Sequence, residues 1–204
     1  MNDLNRALSD ITSIRRQMAA AAEFRGYGPA ALASTAALAI AAALLQPRIV
    51  PDPVHHLRTY LFLWLATAIL SATLMAVEMV RRAHRIHTHL ANEMLRQAVE
   101  QFLPAAFAGA VLTVVIVKAA PASAWMLPGL WQIIFSLGIF ASCRFLPRPI
   151  AAAGLWYLVT GLTAIGLGDT RALGPWIMAI PYAIGQLLVA AILYLNARES
   201  ADEA

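Results

Sequence analysis

The chain alternates between long apolar runs and short polar segments. Six runs, at 28–46, 58–80, 103–120, 125–145, 150–168 and 174–195, are near the length of helix, about 20 residues, that crosses a hydrocarbon core. The segments between them are built to stop a helix. PRIVPDPVHH (47–56) carries three prolines, KAAPASA (118–124) and GDTRALGP (168–175) are turns with Gly, Pro and Ser, and LPRPI (146–150) is a tight connection. The pattern predicts an all-α polytopic membrane bundle of six transmembrane helices arranged as three hairpins.

Two polar segments are themselves patterned. Leu4, Leu8, Ile11, Ile14 and Met18 recur at helical spacing, with Asn5, Asp10, Arg16 and Gln17 on other faces. Leu90, Met94, Leu95, Ala98 and Phe102 form a second stripe, opposed by Asn92, Glu93, Arg96, Gln97, Glu100 and Gln101. Both read as cytoplasmic amphipathic helices. The chain thus divides into an amphipathic helix (1–25) and a six-span bundle (26–204), with an interfacial helix (81–101) between spans two and three.

The stretch from Val54 to Leu103 holds neither glycine nor proline. A straight helix through 81–101 would run roughly 30 Å away from the membrane at 1.5 Å per residue, leaving nothing to return to a third span at 103. A bend is therefore expected between 84 and 89, with 89–101 near the membrane plane. Histidine, isoleucine and threonine there are mediocre helix formers. Short matches also suggest a repeat: Arg16-Gln17, Phe24 and Pro29 lead into the first span, and Arg96-Gln97, Phe102 and Pro104 into the third. The second helix of each hairpin carries tryptophan in its first half: Trp64, Trp125 and Trp131, and Trp176.

Composition agrees with the pattern. Sixty per cent of the 204 residues are hydrophobic and 13% are charged, against about 25% charged in a soluble domain. The net charge of +4 rests on arginine, because Lys118 is the only lysine, and the cations lie between apolar runs. They speak for orientation rather than nucleic-acid binding. Eleven Arg/Lys fall on the side of both termini and four (Arg48, Arg58, Lys118, Arg171) on the other, which predicts cytoplasmic termini in a bacterial inner membrane. The charged first 25 residues do not read as a cleavable signal peptide. A single cysteine, Cys143, rules out an intrachain disulfide and a cysteine zinc cage.

Candidate chemistry is sparse. His84, His87 and His89 lie within six residues, with Glu93 one turn on, and form a minority metal or haem set. The simpler reading is a basic corner at the membrane surface. Glu78 stands one turn inside the second span and pairs in sequence with Arg82 at i, i+4. Gln132 and Ser136 in the fourth span and Gln186 in the sixth are deep enough to need partners, which Thr67, Ser71, Thr73, Thr160 and Thr163 are placed to supply. Pro128-Gly129 and Pro181 interrupt the fourth and sixth spans at corresponding depths, a weak pointer to a transport site. The small-residue pairs Ala105/Gly109 and Gly138/Ser142 permit close helix packing.

Through FRGYGPA, VEQFLPAAFAG, WMLPGLWQIIFSLGIFASCRFLPR and GQLLVAA, the chain resembles uncharacterised bacterial multi-pass membrane proteins over nearly its whole length. That resemblance implies a topology and no activity. The leading expectation is a non-enzymatic docking or assembly subunit of the inner membrane, with no cofactor. Its cytoplasmic helices, through Leu4, Leu8, Ile11, Met18, Leu90 and Met94, would hold a cytoplasmic or membrane partner or a second copy. The alternative is a small transporter or channel with a polar site between spans four and six.

Overall fold

The computed structural model describes residues 29–85, 89–143 and 148–202, with Pro29, 82–85, 89–95, Ala98, Arg148 and 196–202 described by their backbone alone. All are helix, turn or coil, with no strand among the described residues. The long helices are α1 (Pro29–Ile49), α2 (Leu57–Arg85), α3 (His89–Ala119), α4 (Leu127–Ser142), α5 (Ala151–Gly166) and α6 (Pro175–Asp202). Short 3-10 turns occupy Pro121–Met126, Arg148–Ile150 and Thr170–Leu173. Five segments are long and apolar enough to cross a membrane: Ala30–Ile49, Leu57–Arg81, Val99–Ala119, Pro121–Ser142 and Pro175–Leu195. The sixth, α5, is apolar but only 16 residues long.

Two helix boundaries depart from the sequence reading, both at proline. Helix α1 continues through Pro47 to Ile49 instead of stopping at 46. In its last turn the proline removes one backbone donor, and Val50 N closes on the Gln46 carbonyl at 2.7 Å. The chain then turns on Asp52, whose Oδ1 accepts from Val54 N (3.0 Å) and His55 N (3.2 Å), while Oδ2 meets His55 Nδ1 at 2.6 Å. That side-chain bond to His55 holds the Asp52 carboxyl below its ordinary range.

The second departure is in α3, which runs unbroken from His89 to Ala119 with Pro104 inside it. An interfacial helix ending before a span at 103 was expected. Helix and span are continuous in α3, and residues 86–88, within the stretch where the bend is expected, lie outside the described residues.

Packing follows a different order from the chain. Helix α1 lies along α6, α4 along α5 and α3 along α4, with lighter contacts joining α1 to α2 and α5 to α6. The resulting order is α2–α1–α6–α5–α4–α3. We call the side where α1 begins and α6 ends the near face. At the opposite, far face a core of Ala43, Val50, Tyr60, Trp64, Ile116, Leu127, Leu173 and Ala179 draws on every helix except α5. Toward the near face, Leu32, Ile139, Ile150, Tyr157, Ala190 and Leu193 form a second core. Helices α2 and α3 flank the arc and are the least covered, with 17% of each span buried against 39–44% for the other three.

Glycines set the closest approaches. A Cβ on Gly129 would stand 2.6 Å from the Gly161 carbonyl oxygen, and one on Gly161 would stand 2.7 Å from that of Gly129. The backbones of α4 and α5 touch there, an approach that small residues allow between membrane helices. Gly138 receives the Phe102 ring and lies against Ala105, which brings together the small-residue pairs of α3 and α4.

Candidate functional site

Pro181 creates the site. In a regular helix the Ile177 carbonyl accepts from the N–H of residue 181, and proline has none. In hydrocarbon an unpaired carbonyl costs several kcal/mol and must find another donor. Gln132 of α4 provides it, its Nε2 donating to the Ile177 oxygen at 2.9 Å. Helix α5 addresses the next turn of α6. Trp156 Nε1 donates to the Pro181 carbonyl at 2.9 Å, and the Tyr157 hydroxyl donates to the Tyr182 carbonyl at 3.4 Å. Gln186, one turn further along α6, hydrogen-bonds the Tyr157 hydroxyl through its side chain. Gly185 is what admits that hydroxyl, since a Cβ there would fall 2.4 Å from it.

The acceptor end of Gln132 is not satisfied. Its Nε2 must face the Ile177 carbonyl, because only the NH2 group can donate, so Oε1 points the other way. That oxygen is buried with no hydrogen-bond partner. Ser136 lies one turn on, on the same helical face, and its Oγ is equally buried and unpartnered. Both residues are 0% exposed. Serine in a helix ordinarily turns its hydroxyl onto the carbonyl four residues back, as Ser142 does onto Gly138 at 2.9 Å. Ser136 leaves that position and holds its oxygen in the protein interior.

A third orphan, the Tyr60 hydroxyl, comes from the first turn of α2 and packs in the far core with Met178, Ala179 and Tyr182. Aromatic rings wall the near side. Phe135 stands edge-on to Tyr157 (4.8 Å between centroids), Phe102 (5.2 Å) and Tyr182 (5.5 Å). The described charged residues of the spans lie at their ends, Glu78 near one face and Lys118 at the other, so the cluster is neutral.

A different glutamine shows what full satisfaction looks like. Gln46 is also buried, but its Nε2 donates to the Leu173 carbonyl (2.9 Å) and its Oε1 accepts from Trp64 Nε1 (2.9 Å). It ties α1, α2 and the turn before α6 together, with both ends of its amide bonded.

Among the residues singled out from sequence, the structure brings Gln132 and Ser136 together and sets Gln186 against Tyr157, not against Gln132. The threonines do not serve as partners. Thr67, Thr73, Thr160 and Thr163 each turn back onto a carbonyl of their own helix. Pro128 sits in the first turn of α4 and breaks nothing, so the interruption at Pro181 has no counterpart in α4. Glu78 is half-buried near the other end of α2 from Tyr60. Burial pushes the Cys143 thiol up, away from reactivity. His87 lies outside the described residues, as do the side chains of His84, His89, Glu93, Leu90 and Met94, and the whole of Leu4, Leu8, Ile11 and Met18. Tyr60, Trp156 and Tyr157 were not anticipated. An apolar run that carries a proline together with unexplained Tyr and Trp N–H or O–H groups was the available signal.

Comparison with known families, curated proteins and solved structures returned no match to this chain.

Proposed function

We propose that this is an integral membrane protein that takes a small solute into the bilayer at the α4–α6 polar cluster and passes it across, as a small transporter or channel. One observation carries the reading: Gln132 reaches the carbonyl freed by Pro181 while its own Oε1, and Ser136 Oγ beside it, stay unpaired at full burial. Keeping a polar atom without a partner in such surroundings costs about 1–3 kcal/mol. A bundle that needed only cohesion would pair those atoms or replace them with carbon, as it pairs Gln46. The docking reading rests on sequence pattern in 3–22 and 89–101 and gains nothing comparable.

In this reading α5 is the sixth crossing. Its 16 residues span about 24 Å, and the Arg148–Ile150 turn extends it at the near face. The bias of Arg and Lys toward the near face makes that face cytoplasmic in a bacterial inner membrane. The cluster then lies in the outer half of the bilayer, below the 50–56 and 167–174 turns.

Reconstituted vesicles test the reading. Protein-containing vesicles exposed to a gradient of small solutes should admit at least one faster than protein-free vesicles, and Gln132→Leu should abolish the difference. Equal rates with and without protein across the panel would sink the proposal.

A further inference from the structure

We infer that the solute is uncharged, has only a few heavy atoms, and presents N–H or O–H donors, as a small amide or polyol does. The inference rests on the solute-site reading above and specifies its ligand. Three features of the cluster select that chemistry.

Polarity comes first. Gln132 Oε1 is an acceptor with its orientation fixed by the Ile177 bond, so it calls for a donor. Ser136 Oγ can give or receive, which suits a molecule carrying both N–H or O–H and oxygen.

Charge comes second. No Asp, Glu, Lys, Arg or His stands beside Gln132 and Ser136 on α4, whose described residues carry no ionisable acid or base. The elements bonded to or packed against the cluster contribute neutral groups: Ile177, Pro181, Tyr182 and Gln186 from α6 and Tyr157 from α5. An ion stripped of water there would meet no counter-charge, and an uncompensated buried charge is far more costly than a neutral polar group.

Size comes third. The α4 and α5 backbones touch at Gly129 and Gly161, and Tyr157 closes on Gly185 of α6, so the helices around the cluster leave little room.

Paired isosteres decide the matter in vesicles of the full chain. Urea and guanidinium have nearly the same shape and differ in charge, as do acetamide and acetate, with glycerol as the polyol arm. Urea, acetamide or glycerol should enter protein-containing vesicles, and guanidinium and acetate should not. Ser136→Ala leaves the Gln132–Ile177 bond in place and removes one solute partner. It should slow the neutral uptake by about 3–10-fold, the value of one hydrogen bond. Should Gln132→Leu fail to assemble, Ser136→Ala carries the test alone.

Ser136-dependent uptake of guanidinium or acetate, without their neutral partners, would overturn the neutral class and leave the solute site standing. Neutral uptake unaltered by Ser136→Ala would place the passage elsewhere and overturn the inference. No protein-dependent uptake of any of the five would overturn both readings and reduce the orphan atoms to the seat of a trapped water.

Discussion

Gln46 and Gln132 are both buried and both reach a carbonyl near the start of α6, yet only one is fully paired. Gln46 acts as a staple between three segments. Replacing it with leucine strands the Trp64 N–H and loses the bond to the Leu173 carbonyl, so Gln46→Leu should lower unfolding stability by about 1–3 kcal/mol. Thr163→Val, which removes an exposed hydroxyl bonded within its own helix, should change stability by less than about 0.5 kcal/mol. Denaturation of both variants in mild detergent measures the difference, and equal losses would show that Gln46 is not a staple. Residue by residue, sequence distinguished these roles only in part. Gln132 and Ser136 stood out as polar positions in an apolar run. The threonines assigned to them went elsewhere because a hydroxyl on a helix is satisfied locally by the carbonyl one turn back. Tyr60 and Trp156 escaped notice because tyrosine and tryptophan near span ends ordinarily read as interface anchors.

At the scale of elements, proline and glycine decide the architecture. The interruption of α6 and the reach of Gln132 are one device, and a double-mutant cycle isolates it. Gln132→Leu alone should cost about 1–3 kcal/mol, because the Ile177 carbonyl loses its donor. In a Pro181→Ala background the N–H of residue 181 takes that carbonyl, and the same change should then cost less than about 0.5 kcal/mol. Additive costs would mean that Gln132 does not compensate for Pro181. The α4–α5 contact makes a second demand. Gly161→Ala drives a Cβ to 2.7 Å from the Gly129 carbonyl oxygen and should destabilise by about 1–3 kcal/mol through forced separation of the helices. Gly166→Ala, with open space around it, should be neutral or slightly stabilising. Denaturation midpoints of the two variants check the contrast.

The all-helical class and five of the six expected crossings were legible because hydrophobic run length reports them directly, whereas the remaining run forms α5, only 16 residues long. The continuation of α1 past Pro47 and of α3 past Pro104 was not legible, because a proline near a helix end removes a single bond that surrounding structure tolerates. The first two hairpins also share a detail. Trp64 donates to Gln46 and Trp131 to Thr113 (2.8 Å), each across its own hairpin at a separation of 18 residues.

For the whole molecule, the two least covered helices, α2 and α3, stand at the ends of an arc whose middle is α1, α6, α5 and α4. No residue from 65 to 81 of α2 is buried. None of the residues from 96 to 112 of α3 whose side chains are described is buried either. The two helices are most deeply buried at the far core, where Tyr60, Trp64 and Ile116 are held, and α3 also meets α4 where Phe102 reaches Gly138. Such an arrangement encloses the far end of the bundle more firmly than the flanks formed by α2 and α3. Composition and run lengths were enough to assign the class of protein. The cluster was only half legible, because the partner of Gln132, Ile177, lies 45 residues away and depends on an order of helices that differs from the order of the chain.

The central claim is that Ser136 lines a solute site and is not part of a sealed core. It is tested most directly by placing cysteine there, in a chain whose one native thiol has been removed. Ser136→Cys in a Cys143→Ser background should react with a small water-soluble thiol reagent added to sealed vesicles, and urea should slow the reaction. A thiol that stays unmodified until the protein is denatured would contradict the account.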